Sequence, residues 1–454
     1  MRYLLVLAAY AGLCAGSVLE VPGEYATIQS AIFAAVGGDT VLVAPGIYVE
    51  NIYYLGKAIT ITSVGGPAVT LIDGSEPVNP DFASVVRFLL GEGPDSVLDG
   101  FTLTGGTGTR KPSPSGPGQL CGGAAYCWYA SPTVTNCVMT ENSADWGGAI
   151  YCQCSSAAIA NCRIEDNQGS SSGGGVYFGY SSCAISNSII ARNSSVSGGG
   201  LFESYSSDTT FVTNCVLAGN SVSSSGGGFY LTAALTGFRN TILWDNSAPT
   251  GPSGFILFST TSAFLDYCDV EDGPSSIVGD GVVWGEGNLE MDPLFFPGPL
   301  SDYHLSPLSP CVDAGDPDPE YSDPEDPEDP GHALWPSLGG LRNDMGAYGG
   351  GGSGGFTAVE SSHASVSSGP SLGLVRPNPS SGQAVVEISL PESAEVALSL
   401  FSLDGRVVHS ARDGWTPAGT HTFSLGTGAK LRPGVYLVVV EASGCRVSRR
   451  FVVL

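Results

Sequence analysis

Charged side chains recur at one position of a repeated sequence unit in the middle of the chain. Glu141, Asp166 and Arg192 each stand directly before an asparagine, at intervals of 25 and 26 residues. If the units stack as coils, the three side chains project from neighbouring coils about 5 Å apart. Carboxylates beside an arginine suit a Ca²⁺-assisted polysaccharide lyase, in which the metal acidifies a proton and a base removes it. We favour a simpler interpretation, a solvated charge ladder in which Arg192 neutralises Asp166.

A basic segment interrupts the chain just before the repeats. Arg110 and Lys111 lie in Gly105–Gly122 (GGTGTRKPSPSGPGQLCG), and a lyase is expected to break its ladder with such a loop. Arg110 is therefore a fourth candidate for catalysis. The pair Cys152 and Cys154 has no second cysteine pair and no histidine at zinc spacing. We predict no metal and no cofactor, with Ca²⁺ as the one alternative.

The asparagines that follow the charged column indicate the fold. Five of them recur at intervals of 25, 26, 27 and 26 residues: Asn142, Asn167, Asn193, Asn220 and Asn246. Self-similarity at a fixed period of roughly 20–50 residues is typical of stacked-repeat folds. The units lack helical periodicity, so each is predicted to be a coil of short strands and turns. The segment from Thr40 to about Glu290 has room for roughly ten coils, a rod about 50 Å long.

Two further columns predict which side chains face the interior. Small residues share one repeat position and bulky aliphatics share the position two residues later, and side chains two apart on a strand lie on one face. The small column is Cys137, Cys162, Ser188, Cys215, Thr241 and Cys268. The aliphatic column is Met139, Ile164, Ile190, Leu217 and Leu243. Cysteine is expected to pack here as a small hydrophobe, and an inter-coil disulfide between Cys127 and Cys152 is an alternative use of two others.

The turns carry asparagine and glycine. We predict left-handed backbone at the five asparagines, and hydrogen bonds between their amides from coil to coil. Glycine pairs are predicted to form the next tight corner. These pairs are Gly147-Gly148, Gly174-Gly175, Gly199-Gly200 and Gly227-Gly228.

Aromatic residues follow the glycine pairs on successive units. We favour core packing, with one residue of each adjacent pair facing inward and the outward members available to stack on sugar rings. The set is Trp128, Tyr129, Tyr151, Tyr177, Phe178, Tyr180, Phe202, Tyr205, Phe229 and Tyr230.

A short amphipathic helix precedes the first strands. Ile28, Ile32 and Ala35/Val36 recur at helical spacing, which predicts a helix from about Tyr25 to Val36. An open solenoid end exposes apolar surface and unpaired strand edges, so we expect this helix to cap it.

Several segments resemble a known superfamily. The opening YATIQSAI…GGDTVLVAPGIYVENI and the closing MDPLF, DYHLSPLSPCVDAG and DMGAYGG are similar to the pectin-lyase-like right-handed parallel β-helix superfamily, over roughly Val21 to Gly350. The repeats GGAIYC…NCRIEDN also resemble those of polymorphic outer-membrane proteins. The resemblance implies the fold and not an activity. The contiguous motifs of pectin methylesterases, polygalacturonases and classical pectate lyases are not visible.

The last segment of the chain has a different pattern. Alternating residues predict strands at Ala384–Leu390, Val396–Phe401 and Gly434–Glu441, with a hairpin turn at Asp404-Gly405. PNPSSG, LDGRVV and PGVYLVVV resemble the C-terminal sorting domain of the type IX secretion system, and an Ig-like surface module is similar. The resemblance implies a partner in the secretion machinery and a location outside a Gram-negative-type bacterium.

Charge and hydropathy limit the partners. The chain carries 43 Asp and Glu against 17 Lys and Arg, a net charge of −26. Such a field repels phosphate backbones and anionic lipid, so neither nucleic acid nor a membrane surface is expected as a partner. The N-terminal MRYLLVLAAYAGLCAGS is typical of a signal peptide. No later stretch approaches the roughly 20 apolar residues of a transmembrane segment.

These patterns predict an all-β chain of four parts. They are a signal peptide (1–16), a right-handed parallel β-helix (17–348, with a closing segment at 291–350), a Gly/Ser linker (349–370) and a small C-terminal Ig-like or sorting β-sandwich (371–454). The predicted function is an exported, non-catalytic cell-surface or secreted protein, adhesin-like or in contact with extracellular polysaccharide or host and cell-surface glycan. The alternative is a polysaccharide lyase or glycoside hydrolase that acts on acidic polysaccharide along the β-helix groove.

Overall fold

A computed structural model describes most of the chain, in two compact units. The described residues are 16–112, 118–206, 208–296, 303–352, 371–372, 384–390, 393–402, 407–425, 434–442 and 445–453. The predicted signal peptide up to residue 15, the linker from residue 353 and the Asp404-Gly405 turn lie outside them. No helix among the described residues is long and apolar enough to cross a membrane.

The first unit is a parallel β-solenoid, as predicted. It comprises Met1–Phe238, Leu243–Leu265 and Asp272–Gly285, and the solenoid has about ten turns. Strands of successive coils pair in parallel and form four sheets, which is expected when each coil repeats the same short strands. The third sheet is irregular, because Gly108–Arg110 pairs antiparallel with Phe82–Ala83 and with Leu120–Cys121. The 3₁₀ helix Gly273–Ser276 also belongs to this unit.

The four sheets run along the solenoid. The first sheet contains Val18–Val21, Thr40–Val43, Thr60–Ser63, Val97–Asp99, Thr133–Thr135, Ala158–Ala160, Ala184–Ser186, Thr209–Thr213, Leu235–Arg239, Ser262–Asp266 and Val282–Trp284. The second sheet includes Gly46–Val49, Thr70–Asp73, Thr102–Thr104, Val138–Thr140, Arg163–Glu165, Ile189–Ala191, Val216–Ala218 and Ile242–Trp244. The third sheet contains Phe82–Ala83, Gly108–Arg110, Leu120–Cys121, Ser143–Trp146, Gln168–Ser172, Ser194–Ser197 and Ser221–Ser225. The fourth sheet contains Ile52–Tyr53, Val86–Phe88, Ala125–Trp128, Ile150–Gln153, Val176–Gly179, Leu201–Ser204, Phe229–Thr232, Gly254–Leu257 and Ile277–Val278.

The N-terminal helix is shorter than predicted. It spans Ile28–Ala34, with Thr27 and Ser30 forming a capping box at its start. Ala35 is already extended, so Val36 lies outside the helix and is 65% exposed. The Lys57 ammonium donates to the carbonyl oxygens of Ile32, Phe33 and Ala35, which satisfies the last turn and ends the helix there.

Both predicted interior columns are buried. Every residue of the small column and of the aliphatic column is at most 1% exposed. The predicted asparagine ladder is also present: each Nδ2 donates to the Oδ1 of the next asparagine at 3.0–3.1 Å. Each amide oxygen also accepts from the backbone N–H of the preceding asparagine. The amides therefore connect five coils inside the solenoid.

The predicted position of the left-handed residue in these corners is wrong by one residue. Left-handed φ occurs at the residue before each ladder asparagine, as at Glu141 (57°), Asp166 (59°) and Arg192 (54°), and not at the asparagine itself. A single left-handed residue turns the chain while its own side chain points outward, which leaves the next side chain inside. A different set of asparagines occupies the corner before the small column. These are Asn136, Asn161, Asn187, Asn214 and Asn240, with φ of 44–53°.

Three of the four glycine corners are displaced by one residue from the predicted pairs, whereas Gly147 lies in its predicted pair. The left-handed glycines are Gly147, Gly173, Gly198 and Gly226, the first of each run. The glycine that follows lies against the next coil. A Cβ on Gly148 would stand 2.2 Å from the Gly174 carbonyl oxygen, so only glycine fits there.

The second unit comprises Arg239–Ile242, Asp266–Glu271 and Glu286–Leu454. It includes the strand Asp269–Val270 and the 3₁₀ helix Pro319–Tyr321. Its C-terminal part has two antiparallel sheets that share one hydrophobic core, consistent with the predicted sandwich. The sheets are formed by Ser371–Leu372, Ala384–Leu390, Gly419–Leu425, and by Ala394–Ser402, Val407–Thr416, Gly434–Ala442, Cys445–Val453.

Candidate functional site

The predicted charge column contains an ion-pair cluster. Arg192 Nη2 lies 2.8 Å from Asp166 Oδ2 and 2.9 Å from Glu165 Oε2, and Glu165 also binds Arg163 at 3.1 Å. Two arginines therefore face two carboxylates on neighbouring coils. Glu165 and Arg163 were not predicted, because they lie on the strand and not at the corner.

The structure does not bring the other two candidates into this cluster. Glu141 is exposed on the preceding coil, and among the described residues its carboxylate has no hydrogen bond or ion pair. Arg110 lies on the third sheet, where it binds Asp81 at 2.6 Å and the Gly118 carbonyl oxygen at 3.0 Å. Within the described ranges, no three His, Cys, Asp or Glu side chains could hold a metal ion together. A catalytic role for any of the four stays a prediction.

A ladder of stacked aromatic rings lies on the outward face of the fourth sheet. Successive coils place the rings in register at centroid distances of 4.8–5.5 Å. Their flanking neighbours, such as Ala125 and Cys127, are buried in the solenoid core, so alternation along the strand directs the rings outward. The aromatic ladder consists of Tyr126, Tyr151, Tyr177, Phe202, Tyr230 and Phe255.

The N-terminal end of the aromatic ladder is covered. Tyr126 and Tyr151 are at most 2% exposed, although they face outward. Lys111 lies over this end, with its Nζ 4.8 Å from the Trp146 ring centroid and 5.6 Å from that of Trp128. Burial raises the pKa of both tyrosines well above the ordinary value, so their hydroxyls stay protonated. Towards the C-terminal coils the rings are only half-buried.

A second aromatic column occupies the corner beside the aromatic ladder, and its rings are exposed. Its members are Tyr129, Tyr180, Tyr205 and Phe258, exposed by 61%, 58%, 53% and 59%. All four have left-handed backbone, with φ between 49° and 73°. Left-handed backbone is unusual for bulky side chains. The Tyr180 and Tyr205 rings stack at 5.1 Å across neighbouring coils. We call this set the corner aromatics.

The aromatic prediction is confirmed in one respect and wrong in another. One residue faces inward in two of the adjacent pairs, Phe178 beside Tyr177 and Phe229 beside Tyr230, whereas neither Trp128 nor Tyr129 does. Tyr151 and Tyr177, however, are buried by one another and by Trp146 on the outer face, not by the core. Tyr126, Trp146, Phe255 and Phe258 were missed. The 25-residue interval between Tyr126 and Tyr151 would have found the first of them.

One carboxyl group lies inside the solenoid and was also missed. Glu203 occupies an interior position of the fourth sheet and is fully buried. Its carboxylate accepts hydrogen bonds from the hydroxyls of Thr210 and Thr236, both at 2.6 Å. Burial raises the pKa of Glu203 to about 7, and these hydrogen bonds only partly oppose that rise.

Comparison with known proteins supports the two-part organisation. Residues 114–247 match a family described as right handed beta helix region, and residues 375–454 match a secretion system C-terminal sorting domain. Similar solved structures include pectin methylesterase from carrot, with 12% identity, 62% of this chain and 84% of that chain covered, and a TM-score of 0.33. A pectin methylesterase in complex with a hexasaccharide has 13% identity, covers 59% and 81%, and has a TM-score of 0.28. No curated protein matches the sequence. The protein is thus a secreted or cell-surface protein that combines a right-handed parallel β-helix with a C-terminal sorting domain of the type IX secretion system.

Proposed function

We propose that the protein is a non-catalytic, adhesin-like β-helix that binds extended extracellular polysaccharide along its corner aromatics. The supporting observation is the exposure of four aromatic side chains, each more than half exposed, at one corner of four of six consecutive coils. Cys154 and Ala233 occupy the same left-handed corner in the other two coils. Exposed apolar groups arranged in a row mark interaction sites more often than isolated ones do. Large flat rings along one corner of the solenoid suit the faces of sugar rings in a polymer.

The backbone of these residues supports the same proposal. Left-handed backbone at a bulky residue is strained, and such strain is concentrated at ligand-binding and active sites. Asparagine holds the equivalent conformation at other corners, for example Asn161 and Asn187. An aromatic residue at this corner is therefore not needed for the turn, which points to a ligand.

The enzyme alternative has less support. Both arginines among its predicted catalytic residues are paired, Arg192 with Glu165 and Asp166, and Arg110 with Asp81. That arrangement fits charge compensation on the solenoid surface. The four-part organisation, with a signal peptide at 1–16 and a linker at 349–370, remains part of this proposal.

The experiment is affinity electrophoresis of the full mature chain in gels that contain neutral or acidic polysaccharides. We expect retardation by at least one polymer, and its loss in a Tyr180→Ala/Tyr205→Ala double variant. Phe211→Ala is the matched control, because Phe211 is 58% exposed on the first sheet. The same polymers, with and without Ca²⁺, are assayed for unsaturated product and reducing ends. Product formation, or binding that the double variant retains in full, would contradict the proposal.

A further inference from the structure

Most basic side chains in the described part of the chain have an oxygen partner. Eight Lys and Arg side chains are described, and six of them bind a carboxylate or a carbonyl oxygen. These six are Lys57, Arg110, Arg163, Arg192, Arg239 and Arg342. Because acids outnumber bases 43 to 17, such partners are readily available. A described basic side chain that binds no carboxylate or carbonyl oxygen is therefore unusual in this protein.

The two exceptions are Arg87 and Lys111, and both lie on aromatic rings. The Arg87 guanidinium carbon is 5.2 Å from the Tyr53 ring centroid and 5.1 Å from that of Phe82. Its Nε is buried and, among the described residues, has no hydrogen-bond partner. The Lys111 ammonium faces three rings and has no ion pair within the same described ranges. Cation–π contacts stabilise a cation but leave its hydrogen-bond donors unused.

Topology brings the two cations to one end of the aromatic ladder. Arg87 pairs in register with Tyr126, the first ring of the ladder. Tyr126 stacks on Tyr151 at 5.5 Å, and Lys111 Nζ lies 5.8 Å from the Tyr151 ring centroid. The strand Gly108–Arg110, which leads directly to Lys111, pairs with Phe82–Ala83 and so places Phe82 against Arg87.

Two carboxylates of this region are already occupied. Glu92 accepts hydrogen bonds from the backbone N–H groups of Gly56 and Leu90. Asp145 accepts from the Leu120 N–H and the Ser170 hydroxyl. Neither forms an ion pair with Arg87 or Lys111 in the described structure. Both side chains are partly exposed, so an anion from outside can reach the Lys111 ammonium and the terminal nitrogens of Arg87, whose Nε is buried.

We infer that Arg87 and Lys111 bind the carboxylate or sulfate groups of an acidic polysaccharide at the N-terminal end of the aromatic ladder. The inference rests on the proposed function and names the ligand class. Trp128 connects the two surfaces, since its ring lies under Lys111 and meets the exposed Tyr129 ring edge-on at 5.6 Å. Sugar rings contact the corner aromatics, and the anionic substituents pair with the two cations. Charge-assisted hydrogen bonds to arginine and lysine are the strong polar contacts in such sites.

Because the net charge of the chain is −26, binding of a polyanion is a stringent test of this inference. A chain so acidic repels a polyanion everywhere except at a local basic site. The test compares matched polymers that differ in charge: dextran with dextran sulfate, and hydroxyethylcellulose with carboxymethylcellulose. The sulfated and carboxylated members separate the two possible anions. We expect the full mature chain to bind at least one charged member about tenfold more tightly than its neutral counterpart, with weakening at high salt.

Single substitutions test whether the preference for charged polymers depends on Lys111 and Arg87. Lys111→Met keeps the aliphatic stem over the rings, and we expect it to lose about tenfold in affinity for the charged polymer alone. Arg87→Met is expected to act in the same direction, and its thermal unfolding is followed to exclude misfolding. Arg163→Met, which removes an equal charge at the Glu165 ion pair, is the control and should bind as the wild type does.

The outcomes distinguish this inference from the proposed function. Equal binding of neutral and charged polymers, with wild-type affinity in Lys111→Met, would overturn the inference and leave the corner aromatics as the binding surface. Binding of the charged polymer that depends on Lys111 but not on Tyr180 and Tyr205 would support the basic site and overturn the proposed function. Absence of binding to every polymer would overturn both.

Discussion

Arg192 binds Asp166 on the preceding coil through two parallel hydrogen bonds, from Nε to Oδ1 at 3.0 Å and from Nη2 to Oδ2 at 2.8 Å. This fork geometry is the preferred arrangement of an arginine with a carboxylate. Both residues stand at left-handed corners, so their side chains meet outside the solenoid. The pair joins two coils from the surface, as the asparagine amides do from the interior.

We predict a small effect of Arg192→Gln on stability. The Arg192 and Asp166 side chains are 37% and 47% exposed, and ion pairs at such positions contribute about 0–1 kcal/mol. Urea unfolding of the two proteins measures the difference, with Arg163→Gln as the control on the same cluster. If Arg192 were catalytic, the variant would instead abolish product formation from an acidic polysaccharide that the wild type degrades.

Asn193→Ala is expected to destabilise the solenoid by about 3–5 kcal/mol. Asn193 is fully buried, and its amide contacts Asn167, Asn220 and the Ile164 carbonyl oxygen. Truncation leaves several of these groups buried and unpaired, at about 1–3 kcal/mol each. Denaturant unfolding measures the loss. The exposed Gln168→Ala should change stability by no more than about 0.5 kcal/mol, and a similarly small change at Asn193 would contradict the ladder's importance.

From the raised pKa of Glu203 we predict that the free energy of unfolding falls as pH rises. Its pKa is about 7 in the folded chain against an ordinary value of 4.5, so between these values the folded state holds a proton that the unfolded state has lost. Stability attributable to this group therefore decreases from about pH 4.5 to pH 7 and is constant above, a total of about 3 kcal/mol.

Glu203→Gln tests this prediction because the amide cannot ionise. We expect the variant to be the more stable protein at pH 8 and nearly equal to the wild type at pH 4. The wild-type minus variant difference isolates Glu203 from other buried acids, such as Asp323, whose pKa is also raised to about 7 by burial. A difference that does not change with pH would show that Glu203 does not titrate in this range.

Phe258→Asn separates the ligand role of the corner aromatics from any structural role. Phe258 has a φ of 73° and is 59% exposed, and asparagine adopts left-handed backbone more readily. We expect unchanged or slightly higher thermal stability, by up to about 1 kcal/mol, together with weaker polysaccharide binding. Phe211→Asn, at an exposed strand position, is the control and should lower stability while binding is retained.

The sequence period was sufficient to predict the solenoid and its interior. Met139 and Ile164 stack because parallel strands in register repeat one side-chain pattern, and that pattern is visible in the sequence. The left-handed corners were misplaced because glycine and asparagine suggest several turn positions, and only the backbone shows which one turns. Glu203 was recognisable in principle, since its column otherwise holds residues such as Cys152, Phe178 and Leu231.

The candidate site was less accessible to sequence analysis. That Lys111 reaches the rings of Trp128 and Trp146 depends on the path of the preceding strand Gly108–Arg110, which pairs with Leu120–Cys121 in the third sheet. No repeat pattern encodes that path, because the segment occurs once. The absence of a carboxylate at Arg87 is likewise a matter of three-dimensional neighbours and not of spacing along the chain.

The asparagine ladder gives the solenoid a polarity. In each link between two ladder asparagines, Nδ2 donates to the asparagine of the next coil, from Asn142 through Asn167, Asn193 and Asn220 to Asn246. The amide dipoles are therefore aligned head to tail, and each polarises the next, as in other hydrogen-bonded chains. Because every link has the same direction and chemistry, a duplicated coil that keeps its asparagine can enter the array without a mismatch. The ladder thus makes the coils interchangeable modules, through which the length of the rod can change by whole repeats.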